Sequence, residues 1–144
     1  MAWLREAGIE SSVIADLDQA RWQKLVWNIP YNGVSVLLNS STGPLMANAD
    51  SRALLEALMQ EVVDAARACG CALPENYPQK LLAYTDRMPD YLPSMHHDYL
   101  QGRPAELPAL YAAPLAAAAA VQVDMPRVRM LYQALSFLQR SSVA

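Results

Sequence analysis

Cysteine, glycine and phenylalanine are all scarce in this chain: 144 residues contain 2, 5 and 1 of them. The cysteines, Cys69 and Cys71, stand in a CGC triplet. Thiols that close together in sequence make a strained disulfide, and two ligands do not make a zinc site. They read as reduced thiols of a cytoplasmic protein with no metal. The few glycines form no GxGxxG, no GxxxxGK[ST] and no GxSxG, and HExxH is absent as well. That excludes the usual cradles for a dinucleotide or a nucleoside triphosphate. Basic charge is also short, with 11 Lys and Arg against 14 Asp and Glu, and it forms no run. A net charge of −3 argues against nucleic-acid binding, which calls for a basic face. No apolar stretch reaches the roughly 18 residues of a membrane span. The Ala-rich run 112–121 is too short. The start, MAWLREAGIE, lacks a basic segment followed by an apolar core, so no signal peptide is expected.

What is present is helical. Ala, Leu, Met, Gln and Glu dominate, and β-branched runs are few. Residues 3–10 read as a helix end stopped by Gly8. A second helix is expected from Asp16 or Asp18 through WQKLVWN toward Leu38, with a kink at Pro30. Residues 39–44 form a turn cluster. A third helix runs from Asn48 or Asp50 to Ala68, with its stripe at Leu54, Leu55, Leu58, Val62, Ala65, Ala66 and Cys69, and Gly70 as its stop. Further helices are expected over 75–88, from Pro93 or Ser94 to Gln101, from Glu106 with a break at Pro114, and from Pro126 to about Arg140. With 53% apolar residues and no long linker, residues 1–144 are expected to form one all-α, single-domain bundle.

Two polar patterns stand out against this background. In WQKLVWNIPYN, Lys24, Asn28 and Asn32 follow one another at intervals of four. On a helix that interval makes one slanted row. Its apolar neighbours leave little room for a wholly solvent-facing strip, yet polar stripes are most often plain exposed faces. An ammonium beside two amides also suits a small substrate bearing a carboxylate and a carbonyl. The second pattern is Ser94-Met-His-His-Asp98, then Gly102-Arg103, then Glu106. Ser94 can cap a helix, and Glu106 suits a helix N-terminus. His96 and His97 point about 100° apart on a helix, so they do not chelate one metal, and both read as surface residues.

Taken together, the two patterns resemble the C-terminal domain of the ketopantoate reductase (2-dehydropantoate 2-reductase) family. That family has Trp-x-Lys-Leu-x-x-Asn-x-x-x-Asn on one helix and Ser-Met-x-x-Asp-x-x-x-Gly-Arg-x-x-Glu later. Trp22, Lys24, Leu25, Asn28 and Asn32 match the first; Ser94, Met95, Asp98, Gly102, Arg103 and Glu106 match the second. Ala7-Gly8-Ile9 and Pro126 match as well. The resemblance implies the helical domain of a 6-phosphogluconate-dehydrogenase-like reductase. Its Rossmann domain for NADP is N-terminal and is not in this sequence. It implies Lys24 as the catalytic acid. It implies Asn28, Asn32 and Ser94 as substrate-binding residues, Asp98 as a supporting acid and Glu106 as a cofactor contact. The implied partners are a small 2-keto acid, the Rossmann domain and a second copy of the chain.

The sequence departs from the family around Glu106. Ala105 stands where a Thr is common, Pro108 where an Asp is common, and Leu110-Tyr111-Ala112 where a Leu-Asn-Gly run is common. Gln122 replaces a late Gly, and Thr42-Gly43 replaces Asn-Gly. Two other readings stay open: a reductase of another 2-keto acid, and a non-catalytic helical module for dimerisation or partner binding. With no phosphate cradle in the sequence, the chain alone is expected to be inactive.

Overall fold

A computed structural model describes residues 10–143, with side chains described for residues 17–141. Seven α-helices and one π-helical turn make up its regular structure. The helices are α1 (Glu10–Leu37), α2 (Thr42–Ala47), α3 (Ala49–Ala68), α4 (Tyr77–Asp86), α5 (Ser94–Leu100), α6 (Ala113–Ala120) and α7 (Pro126–Val143). The π-turn, Pro108–Ala112, leads directly into α6. No strand occurs among the described residues.

The long α1 is the spine. It packs against α3, α7 and α5, while α3 also carries α4 and α2. Val26, Ile29, Tyr31 and Val34 of α1 are fully buried against Leu55, Met59, Val62 and Val63 of α3. Trp27 stacks on Tyr31 at 4.5 Å, and its indole N–H donates to Thr85 Oγ1 at 3.1 Å. Burial pushes the Tyr31 hydroxyl above its ordinary pKa, so it stays protonated. This hydroxyl donates to Met46 Sδ.

Where α1 meets the π-turn and α7, side chains press directly on the α1 backbone. Tyr111 Oη donates to the Ile29 carbonyl at 2.7 Å, one residue before Pro30. A Cβ on Gly33 would collide with that hydroxyl and lie 2.6 Å from Leu131 Cδ2. Gly33 is therefore dictated by contact and not by backbone conformation. Pro30 removes one ladder bond, but α1 runs through it unbroken.

Several expected boundaries shift. Asp16 and Asp18 are interior residues of α1 and not its caps, because no Gly or Pro interrupts residues 10–18. The helix end expected over residues 3–10 lies outside the described residues, apart from Glu10, which already belongs to α1. Half of the 39–44 turn cluster is helical: Thr42, Gly43 and Pro44 form the first turn of α2. The helix expected over 75–88 narrows to α4, starting beside Pro78. Asn48 does cap α3, accepting from Asp50 N at 2.9 Å and Ser51 N at 3.1 Å. Gly70, at φ +92°, ends it, and Cys71 N reaches back to the Ala66 carbonyl. At Pro114 the expected break takes the form of the π-turn, in which Ala113 N bonds the Pro108 carbonyl five residues back.

Three helix N-termini are capped by residues far away in sequence. The Asp90 carboxylate accepts from Gly43 N at 2.8 Å and Ser41 Oγ at 2.9 Å at the start of α2. The Glu61 carboxylate accepts from Arg127 N and Val128 N, at 3.1 and 3.0 Å, at the start of α7. Asn32 Oδ1 accepts from Met95 N at 3.0 Å at the start of α5. Apart from the Ser41 hydroxyl, each donor is a first-turn N–H that has no partner within its own helix.

Candidate active site

The bond from Asn32 to Met95 brings α1 and α5 together along one edge of a cleft of about 850 Å³. Lys24, Asn28, Asn32, Ser94, Asp98 and Glu106 all line it. The first three form the slanted row expected of a helix. Ala105, Ala109, Ala113, Pro114 and Ala117 form a second wall of small side chains.

Each of the six sits in a different setting. Lys24 is exposed and has no ion pair among the described residues. Asn28 is half-buried one turn further along. Asn32 is buried, and its carbonyl oxygen is taken by Met95 N, so its NH₂ is the end left for the cleft. Ser94 opens α5, yet makes no capping bond; its exposed hydroxyl has no partner among the described residues. Asp98 pairs with Arg103 through Nε at 3.0 Å and Nη2 at 2.9 Å. That pair spans the turn at Gly102, whose φ is +71°, and the chain then proceeds toward Glu106. Glu106 is exposed, and its carbonyl accepts from Leu110 N at the head of the π-turn.

The two histidines part company. His97 is exposed, as expected, but His96 is buried, correcting its reading as a surface residue. Its Nε2 lies 2.9 Å from Asn39 Oδ1, so Nε2 carries the proton and Nδ1 is left without a partner. Asn39 itself adopts φ +50°, a conformation that Asn tolerates. Burial lowers the pKa of His96, opposed in part by the Ser40 backbone. Neither histidine lines the cleft.

Asp18 and Arg21 also line the cleft, and the sequence reading left them out. Arg21 precedes Lys24 by three residues and so shares its helix face, and Asp18 stands three residues before Arg21. That spacing was the available signal. No group of three or more His, Cys, Asp or Glu side chains among the described residues is arranged to hold a metal. No helix among them is long and apolar enough to cross a membrane.

The profile of the family described as "Ketopantoate reductase PanE/ApbA C terminal" matches residues 16–139. The chain belongs to the ketopantoate reductase C-terminal domain family. The 2-dehydropantoate 2-reductase of Nostoc sp. (strain PCC 7120) is 46% identical over 132 residues, which are 92% of this chain and 41% of that protein. The crystal structure of 2-dehydropantoate 2-reductase from Geobacter metallireducens superimposes with a TM-score of 0.81 at 42% identity, over 84% of this chain and 41% of that one. The Methylococcus capsulatus 2-dehydropantoate 2-reductase gives 0.82 at 31% identity, over 88% and 44%. The chain thus spans about two fifths of the length of the reductases it matches. The family's helical fold is the one described above.

Proposed function

We propose that this chain is the substrate-side, proton-donating domain of a cytoplasmic NADPH-dependent 2-keto acid reductase that converts ketopantoate to pantoate. One observation carries the reading: an ammonium, two amides, a hydroxyl and two carboxylates from three segments line a single cleft. Lys24 supplies the proton to the carbonyl oxygen. Its ammonium first stabilises the negative charge that grows there, then gives up its proton to form the 2-hydroxy acid. Asn28 and Asn32 offer amide N–H donors to the substrate, and Ser94 offers its hydroxyl. Asp98 supports the site through Arg103.

A bound NADPH would supply the hydride for the carbonyl carbon. Of the residues assigned roles here, Glu106 fits its sugar end. Glu106 is an exposed acceptor suited to ribose hydroxyls, and a carboxylate repels phosphate. The phosphates fall to a Rossmann domain outside this sequence. Steady-state kinetics of the chain joined to such a domain test the reading. Lys24→Ala is expected to lower kcat about 10²–10⁴-fold, and the chain alone to give no turnover. Undiminished activity of the variant would refute the assignment. Comparing ketopantoate with other 2-keto acids in the same assay fixes the substrate.

A second reading, a helical association module, is favoured by α7. Met130 and Phe137 stand two turns apart on it and are 56% and 69% exposed. Sedimentation of the chain alone, of Phe137→Ser, and of the chain with a cofactor domain tests it. A monomer in every case excludes it.

A further inference from the structure

We infer that Asn32 is a positioning residue that acts through Ser94, in addition to whatever its NH₂ donates directly. The inference rests on the reading of Ser94 as a substrate contact. Helix α5 is only seven residues long and begins after Pro93, which has no side-chain acceptor. Ser94 does not cap it either. The first-turn N–H of Met95 is satisfied by Asn32 Oδ1, 63 residues earlier in sequence. That bond ties the start of α5 to the cleft wall of α1, beside the His96–Asn39 bond and the buried Met95 side chain, and Ser94 is the residue immediately before the bonded N–H.

The same bond settles which way the amide faces. An N–H needs an acceptor, so the oxygen lies toward Met95 and the NH₂ toward the cleft. An amide does both jobs at this buried position without charge. A carboxylate would keep the cap but put an anion where the substrate's own carboxylate is read to bind. A hydrophobic residue would leave the Met95 N–H buried and unpaired.

The test has two parts. In the 144-residue chain, hydrogen exchange at the Met95 amide is expected to be slow, fast in Asn32→Ala, and slow again in Asn32→Asp. In the chain joined to its cofactor domain, Asn32→Ala and Ser94→Ala are combined in a double-mutant cycle. Each single variant is expected to raise KM about ten-fold. The double variant is expected to fall well short of the product of the two, because loss of Ser94 removes what Asn32 positions. If Ser94→Ala alone leaves KM unchanged, the reading of the site fails, and this inference with it. If Ser94→Ala raises KM but the cycle is multiplicative, only this inference is overturned. A Met95 amide that exchanges equally fast with and without Asn32 overturns it as well.

Discussion

The starts of α2 and α7 differ from the start of α5 in the kind of group that caps them. Asp90 is an exposed carboxylate and Glu61 a largely covered one paired with Arg127, and both bring a charge that favours a helix N-terminus. Asn32 is a buried amide on the cleft wall. Where water or a paired cation offsets the charge, a carboxylate makes the stronger cap. Beside a cleft read to bind an anion, the neutral cap adds no further negative charge to a wall that already carries Lys24 and Arg21. The comparison teaches that cap chemistry follows the neighbourhood and not the helix being capped.

Four experiments bear on that contrast between buried and surface attachments. The largest effect is expected where packing is tightest. Gly33→Ala forces a methyl group into Tyr111 and Leu131, and should destabilise the fold by about 1–3 kcal/mol, read from urea denaturation. Glu61→Ala removes the carboxylate under α7 and should cost about 1–2 kcal/mol, with faster amide exchange at Val128. Equal stability of either variant with the parent would remove its contact from the account.

The other two effects are pH-dependent and smaller. His96 has its folded pKa below the ordinary 6.5, so the unfolded chain takes up the proton first as pH falls. Stability should therefore drop as the pH goes down through about 6.5, and His96→Gln should flatten that slope. Asp90 is held below the ordinary carboxylate range by the Gly43 N–H and the Ser41 hydroxyl. Its contribution is complete above the ordinary value of 3.8 and is lost as pH falls through the lower folded value. Asp90→Asn should abolish the acid sensitivity of the Gly43 amide, measured by exchange. The Asn32 cap, having no titrating group, should show no such acid step at Met95.

The helices were legible in the sequence because burial follows the 3.6-residue period. The stripe from Leu54 to Cys69 is the face that α3 packs inward, with Leu55, Leu58, Val62, Ala65 and Ala66 all buried. The row Lys24–Asn28–Asn32 was legible for the same reason. That Ser94, Asp98 and Glu106 share its cleft was not readable from spacing; only the family resemblance joined the two segments. The remote caps were invisible, since the bonds to Met95, Val128 and Gly43 span 63, 67 and 47 residues. This also explains the missed start of α2: Thr42-Gly43-Pro44 looks like a turn until Asp90 is placed against it. His96 was misread because polar type predicts exposure, while its partner Asn39 lies 57 residues earlier.

The π-turn at Pro108–Ala112 has a consequence for which lengths this domain tolerates. The turn closes on a bond five residues back, so it holds one residue more than an α-turn does between the same two groups. Removing one residue there would let an ordinary bond four residues back take its place, and the downstream segment would keep its facing. Ala113, Pro114 and Ala117 would then stay on the cleft, and the loss would fall on the packing of Tyr111 inside the turn. One codon deleted within α6, where nothing absorbs it, would instead rotate all that follows by about 100°.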